Sequence, residues 1–276
     1  MSSPAIPALS SHCESPQQNV AHLHQTKPGP LCLRLLTLNI HKGFSVFNRR
    51  FILPELREAI RSFGADVVCL QEVLGEHSGH RTRQPAWPSL SQYEFLADSI
   101  WHQHAYGRNA VYTEGHHGNA VLSKHAIASY QNHDISIFGP EQRGLLHCVL
   151  DLPDGRAAHL ITVHLSLTEG HRRQQLARLL AFIADQVPAA APLMVAGDFN
   201  DWRGRAHAVL AVAAGLDEVY LSSTGRAALS YPARYPLLRL DRIYVRNVVS
   251  ATPVPLTRQP WSHLSDHIPL AAELCL

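Results

Sequence analysis

Long apolar runs are missing from this sequence of 276 residues. None approaches the ~18 residues that a membrane-spanning helix requires, so an integral helical membrane protein is excluded. Basic runs are missing too. Lys+Arg (24) exceed Asp+Glu (22) by only two, and Arg49-Arg50 and Arg172-Arg173 are isolated pairs. That balance gives no field strong enough to hold a polyanion by charge alone. Cysteine is sparse and scattered: Cys13, Cys32, Cys69, Cys148 and Cys275 form an odd set with no CxxC pair. The spacing predicts reduced, structural thiols in a cytoplasmic protein rather than a disulfide framework or a zinc knuckle. The first residues lack a basic and then apolar leader, so no secretory signal is expected. What the chain does have is apolar material, 46% of its residues, enough for a sizeable core. It also has 19 histidines. Histidine ligates metals and moves protons near neutral pH, so the count points either to a metal site or to a catalytic surface.

Residues 1–30 are rich in Ser, Pro and Gln and close on Pro28-Gly29-Pro30, which reads as a flexible tail. Residues 31–276 show no repeat and no further low-complexity break, so they are expected to form one domain. Short apolar runs at 33–39, 66–71, 143–150, 157–166, 193–196, 240–245 and 268–274 read as strands, and 118–123 with 126–131 as strand and turn. Residues 51–63 and 170–187 carry helical periodicity, the first stopping at Gly64. Strands that come both in succession and separated by helices imply an α/β fold with mixed sheets covered by helices.

Several of these runs end in the same way, an apolar stretch followed by acid, amide or imidazole. Asn39, Glu72, His164 and the Asp198-Phe199-Asn200 segment all sit at such ends. Strand ends are where α/β proteins collect ligands. If they converge, they bring Glu72, Asp198, Asp241, Asp266 and His267 together. Clustered carboxylates need a cation to offset their repulsion, and oxygen donors favour Mg²⁺ or Mn²⁺ over zinc.

Seven segments then fall into a familiar order: LTLNIHKG (36–43), LQEV (70–73), GNAVLSK (118–124), TVHL (162–165), AGDFND (196–201), LDRIYV (240–245) and LSDHIPL (264–270). Together they resemble the endonuclease/exonuclease/phosphatase superfamily, which includes pancreatic deoxyribonuclease, abasic-site endonucleases, neutral sphingomyelinases and inositol-phosphate phosphatases. The LNIHKG opening and the GHHGNAVLSK loop are similar to an uncharacterised bacterial branch. The resemblance implies a four-layer α/β sandwich, two packed mixed β-sheets flanked by helices. It also implies a Mg²⁺- or Mn²⁺-dependent phosphoric ester hydrolase.

Carried over residue by residue, the resemblance makes Glu72 the principal metal carboxylate, with Asn39 and Asp266 beside it. Asp198 orients or activates the attacking water. Asn200 holds a phosphate oxygen, His164 donates to the phosphate or leaving oxygen, and Asp241 fixes His267 as base or phosphate-binding cation. Asn119, His41 and Arg143 are candidates to bind substrate, and His116 and His117 to line the cleft. An acidic partner for His164 is expected, with Glu114 and Glu169 as candidates. Taken alone, Asn39 also fits a turn, Asn119 a Gly-Asn turn, and Ser265-Asp266-His267 a polar turn before the last strand. Asp201 is expected to cap a helix starting at Trp202. His77, His80, His102 and His104 read as surface residues, and Arg81, Arg83, Trp87 and Pro88 as part of a long loop. With little basic charge, the expected substrate is a small phosphoester or lipid headgroup rather than DNA. Nucleic acid, peripheral membrane contact and a non-catalytic binding module on the same fold stay open. A monomer is expected.

Overall fold

The computed structural model describes Met1 and residues 30–276, so the tail expected at residues 1–30 and Cys13 lie almost wholly outside the described residues. Among the described residues, twelve strands form two mixed sheets of six. The first runs in the order β11 (Ser250–Pro253), β12 (Leu270–Cys275), β1 (Cys32–Asn39), β2 (Val67–His77), β4 (Gly115–Ser123), β3 (Gln103–Tyr112). The second runs β5 (Ala126–Asp134), β6 (Gly144–Asp151), β7 (Ala157–His164), β8 (Leu193–Asp198), β10 (Asp241–Arg246), β9 (Asp217–Glu218). Each sheet holds one parallel pair, β1 with β2 and β7 with β8. Parallel neighbours need a long crossover, and here helices α1 (Leu53–Phe63) and α4 (Glu169–Gln186) supply it.

Side-chain parity builds the layers. Along β1, Leu33 and Leu35 enter the core between the sheets, while Leu36 and Leu38 pack beneath α1. On β8, Met194 and Ala196 face inward, while Leu193 and Val195 pack against α4 and α5 (Arg205–Ala214). In α1, Leu53, Leu56, Ala59 and Ile60 recur on one face and are buried. The chain then stops in a left-handed Gly64 with φ 73°. Counting in twos along each strand places Asn39, His164, Asp198 and Asp241 on the inward faces, at the ends where the two sheets open. No helix among the described residues is long and apolar enough to cross a membrane.

Several sequence expectations are corrected. Cys32 and Cys275 face each other across β1 and β12 and are joined by a disulfide. Among the described residues, the expectation of reduced thiols therefore holds only for buried Cys69 and Cys148. It no longer supports a cytoplasmic location. The pair was invisible because its members lie 243 residues apart and only strand register brings them together. Residues 78–83 are a helix, α2, rather than loop, and carry Arg81 and Arg83. His77 and His80 are not free surface groups: their rings lie 3.8 Å apart, and His80 stacks on Trp87 at 5.4 Å. Strand β3 and the short helices α3 (Gln92–Ala97) and α6 (Val219–Thr224) escaped the sequence reading.

Asp201 does cap a helix, but one that starts at Arg205 rather than Trp202. Its carboxylate accepts from the amides of Arg205 at 3.1 Å and Ala206 at 2.7 Å. Asp201→Ala strands two helix-start donors near the core, at a cost of about 1–2 kcal/mol. A thermal-unfolding comparison should show a Tm lower by several degrees, with Asp201→Asn intermediate because its single carbonyl oxygen can serve only one of the two amides. An unchanged Tm for the alanine variant would refute the cap.

Candidate active site

The site stands on the carboxyl ends of the two parallel pairs. In the second sheet His164, Asp198 and Asp241 are direct register partners across β7, β8 and β10. That close register depends on Gly197, with φ 146°, because a Cβ there would lie 2.0 Å from the Val163 carbonyl oxygen. In the first sheet Asn39 pairs with Gln71, and Glu72 follows in a bulge of β2 between Leu70 and Val73. Glu72 adopts the left-handed φ of 57° and Asn200 one of 49°. Non-glycine residues held in that region mark a backbone constrained by its surroundings. The loop at 264–268 docks on the end of β1 because Ser265 Oγ donates to the Asn39 carbonyl at 2.7 Å.

These ends surround a cavity of about 310 Å³ lined by Asn39, Glu72, Arg143, His164, Asp198, Asn200, Asp266 and His267. Asp198 is the meeting point. Its Oδ2 accepts from Asn39 Nδ2 at 3.2 Å and faces His164 Nε2 at 3.4 Å and His267 Nε2 at 3.8 Å. Its Oδ1 accepts from the Asn200 amide at 2.9 Å. His267 Nδ1 donates to Asp241 Oδ2 at 2.8 Å, which leaves Nε2 turned toward Asp198. His41 Nδ1 donates to Asp266 Oδ2 at 2.8 Å, so these two candidates are partners. The Asn200 side-chain amide is spent on the Leu165 carbonyl at 2.8 Å.

Burial and charge divide the groups. Burial disfavours an imidazolium at His267, yet the carboxylates of Asp241 and Asp198 outweigh it and lift the pKa to about 10. Burial raises Asp198 above the usual carboxylate range, with the His267 charge opposing it. His164 goes the other way: burial, then Arg143 and His267, hold it well below an ordinary histidine. Its contact with Asp198 is therefore that of a neutral ring. The hydrogen bond to Asp266 raises His41 against the pull of burial.

The acidic partner of His164 is thus neither Glu114 nor Glu169. Glu114 lies near His77, and Glu169 binds Arg172 and Arg205. Asn119 does not line the cavity. It is buried, and its amide donates to the carbonyls of Gly144 at 3.0 Å and Thr162 at 3.4 Å, linking the two sheets. His116 lies elsewhere, in a surface cavity of about 580 Å³ with Arg81 and Glu114. His117 is not among the lining residues, and burial keeps it neutral with a pKa of about 4. Sequence reading missed Leu167, Trp202, Tyr231, Leu238 and Leu240, which complete the wall. Trp202 directly follows AGDFND and could have been suspected. Tyr231, its ring 5.0 Å from that of His267, lies in a loop without a motif.

Residues 36–267 match the Endonuclease/Exonuclease/phosphatase family. The chain belongs to this family. Family and fold together support a phosphoester hydrolase of the metal-dependent type. The "Uncharacterized protein YbhP" of Escherichia coli K12 is 54% identical over 244 residues, covering 88% of this chain and 96% of its own. The protein of the same name in Shigella flexneri matches to the same extent. Among solved structures, an endonuclease/exonuclease/phosphatase from Beutenbergia cavernae superposes with a TM-score of 0.68 at 20% identity, over 89% of this chain and 72% of that one. D. rerio TDP2, complexed with a single-strand DNA product, gives 0.67 at 19% identity, over 89% and 99% of the two chains. The human Nocturnin catalytic domain with bound sulfate gives 0.67 at 18%, over 89% and 93%. At such identities the likeness is one of fold.

The family implies a divalent metal, and the donor chemistry fits one. Glu72 makes no salt bridge among the described residues and takes only the Asn39 amide, at 3.3 Å. It shares its cavity with the carboxylates of Asp198 and Asp266. Asp198, Asp241 and His267 also place one ligand atom each within 4.8 Å of one another. In that trio, however, the short His267–Asp241 bond already occupies the imidazole Nδ1.

Proposed function

We propose that this protein hydrolyses a phosphodiester or phosphomonoester by in-line attack of water, using Mg²⁺ or Mn²⁺, on a small phosphoester or lipid headgroup. The observation that carries this reading is the set of opposed groups around one cavity: a raised carboxyl at Asp198 facing a cationic His267 backed by Asp241. Groups whose environments push their proton affinities apart divide acid and base work between them. Asp198 takes the proton of the attacking water. His267, charged at neutral pH, directs Nε2 at a phosphate oxygen. Neutral His164 donates toward the leaving oxygen, and Arg143, at the cavity wall, binds phosphate. Asn200 fixes Asp198 through its backbone amide. Glu72, Asn39 and Asp266 would hold the ion, which when bound offsets the charge that builds on the phosphate.

A cavity of about 310 Å³ suits a headgroup rather than a long polymer. Nucleic acid is the second reading, supported by the fold likeness to D. rerio TDP2. The test is a panel with Mg²⁺ or Mn²⁺: a chromogenic diester, inositol phosphates, phospholipids, plasmid DNA and abasic duplex. Chelation should lower the rate by roughly 100-fold or more, and metal should restore it. Chelator-resistant turnover would overturn the metal requirement. Metal binding without turnover of any substrate would favour a binding module.

A further inference from the structure

The loops that carry the cavity also present large apolar side chains to solvent. Phe47, Phe138, Leu167, Trp202, Tyr235 and Leu237 are between 52% and 95% exposed. Each lies on a loop that carries a cavity-wall residue or touches a site residue. Leu167 and Trp202 line the cavity itself. Tyr235 and Leu237 lie in the loop between two further wall residues, Tyr231 and Leu238. Phe138 shares its loop with Arg143, and the Leu167 amide donates to Glu141 of that loop at 3.3 Å. Phe47 sits in the turn whose Asn48 contacts His41 at 2.9 Å. A folded protein seldom exposes so many large apolar groups on adjoining loops unless something covers them.

Three arginines without a carboxylate partner stand against these rings. Arg49 lies 5.7 Å from the Phe47 ring, Arg203 4.4 Å from Trp202, and Arg258 5.3 Å from Tyr235. None of the three pairs with a carboxylate among the described residues. The nearby acids are already taken, Glu141 by Arg143 and Glu169 by Arg172 and Arg205. Exposed apolar tips interleaved with free arginines match the boundary between acyl chains and anionic headgroups. Single-stranded nucleic acid would use the ring–arginine pairs, but it offers nothing to Leu167 and Leu237, which have no face for base stacking.

We propose that the mouth of the site is a docking surface for an anionic phospholipid membrane, and that the substrate is a headgroup phosphoester presented there. This rests on the reading of the site as a phosphoester hydrolase. The tip residues enter the interface, the arginines meet lipid phosphates, and the cavity receives a headgroup without extracting the lipid.

The full chain is sedimented with vesicles of phosphatidylcholine, alone or mixed about 7:3 with phosphatidylglycerol. Two double variants lie outside the cavity wall: Phe138→Ser with Leu237→Ser, and Arg49→Gln with Arg203→Gln. The wild type should bind the mixed vesicles in a salt-sensitive way, and each double variant should lose roughly tenfold or more in binding. Both variants should cleave a soluble chromogenic diester at the wild-type rate while losing turnover of vesicle lipid. No binding by the wild type, or binding that neither variant weakens, overturns the proposal. So does a result in which the variants lose affinity for oligothymidylate instead, or in which they abolish a dimer seen by size-exclusion chromatography. A wild type inert on both the soluble diester and vesicle lipid overturns the hydrolase reading and the substrate with it. Sedimentation, which needs no turnover, still decides the docking surface.

Discussion

Glu72→Gln should leave the protein folded and remove most of its proposed metal-dependent phosphoester hydrolysis. The substitution keeps the shape, the side-chain length and an oxygen for the Asn39 amide, which Glu72 now accepts at 3.3 Å. The left-handed backbone at φ 57° is no worse for Gln than for Glu. What disappears is one negative charge that makes no salt bridge among the described residues. Loss of a charge-stabilising group at a reacting centre costs about 10²–10³ in turnover, and loss of a metal ligand adds weaker ion binding. The measurements are kcat on a chromogenic diester and Mn²⁺ affinity by calorimetry. Both should fall while the Tm stays within a few degrees. Full activity in the variant would remove Glu72 from the site and overturn the metal assignment.

Asp241→Asn is the second large effect, and its signature lies in pH. Asp241 is fully buried, and its Oδ2 holds His267 Nδ1–H at 2.8 Å. Amide for carboxylate removes the largest support for the imidazolium, so the His267 pKa falls from about 10 toward or below the ordinary value. Turnover should drop by about 10²–10⁴ at neutral pH, the range for a displaced acid–base group. Wild-type activity should rise as Asp198 ionises and fall in the alkaline range as His267 loses its proton. In the variant the falling limb moves to lower pH. Stability provides a second readout. Folded His267 holds its proton more tightly than it does in the unfolded chain, so its contribution is complete below the unfolded value of about 6.5. It is lost as pH rises toward about 10. Wild type should therefore lose stability across that window and the variant should not. An unshifted alkaline limb would show that His267 does not carry the charge.

Strand-end residues were the part of this site that the sequence made readable. Apolar alternation sets which face a residue takes, and the run's end sets its depth. That was enough to bring Asn39, Glu72, His164, Asp198 and Asp241 together. Register was not readable. The partner of His164 is its direct neighbour Asp198 on the next strand, not a distant glutamate. The link between Cys32 and Cys275 is likewise a matter of which strands pair. Strand β3 was missed because its residues alternate poorly between buried and exposed, and much of it is polar and open to water. Tyr231 and Trp202 sit in loops, where position follows from tertiary contacts and leaves no periodic mark.

The left-handed turn at Glu72 has a consequence for anyone redesigning this protein. Glycine or asparagine would sit in that backbone with less strain than glutamate, and the same holds for glycine at Asn200, with φ 49°. A campaign that ranks substitutions by thermal robustness would therefore favour replacing the residue on which turnover is proposed to depend. Variants improved by heat selection alone should drift toward inactivity at Glu72, so any such screen needs an activity filter applied alongside it.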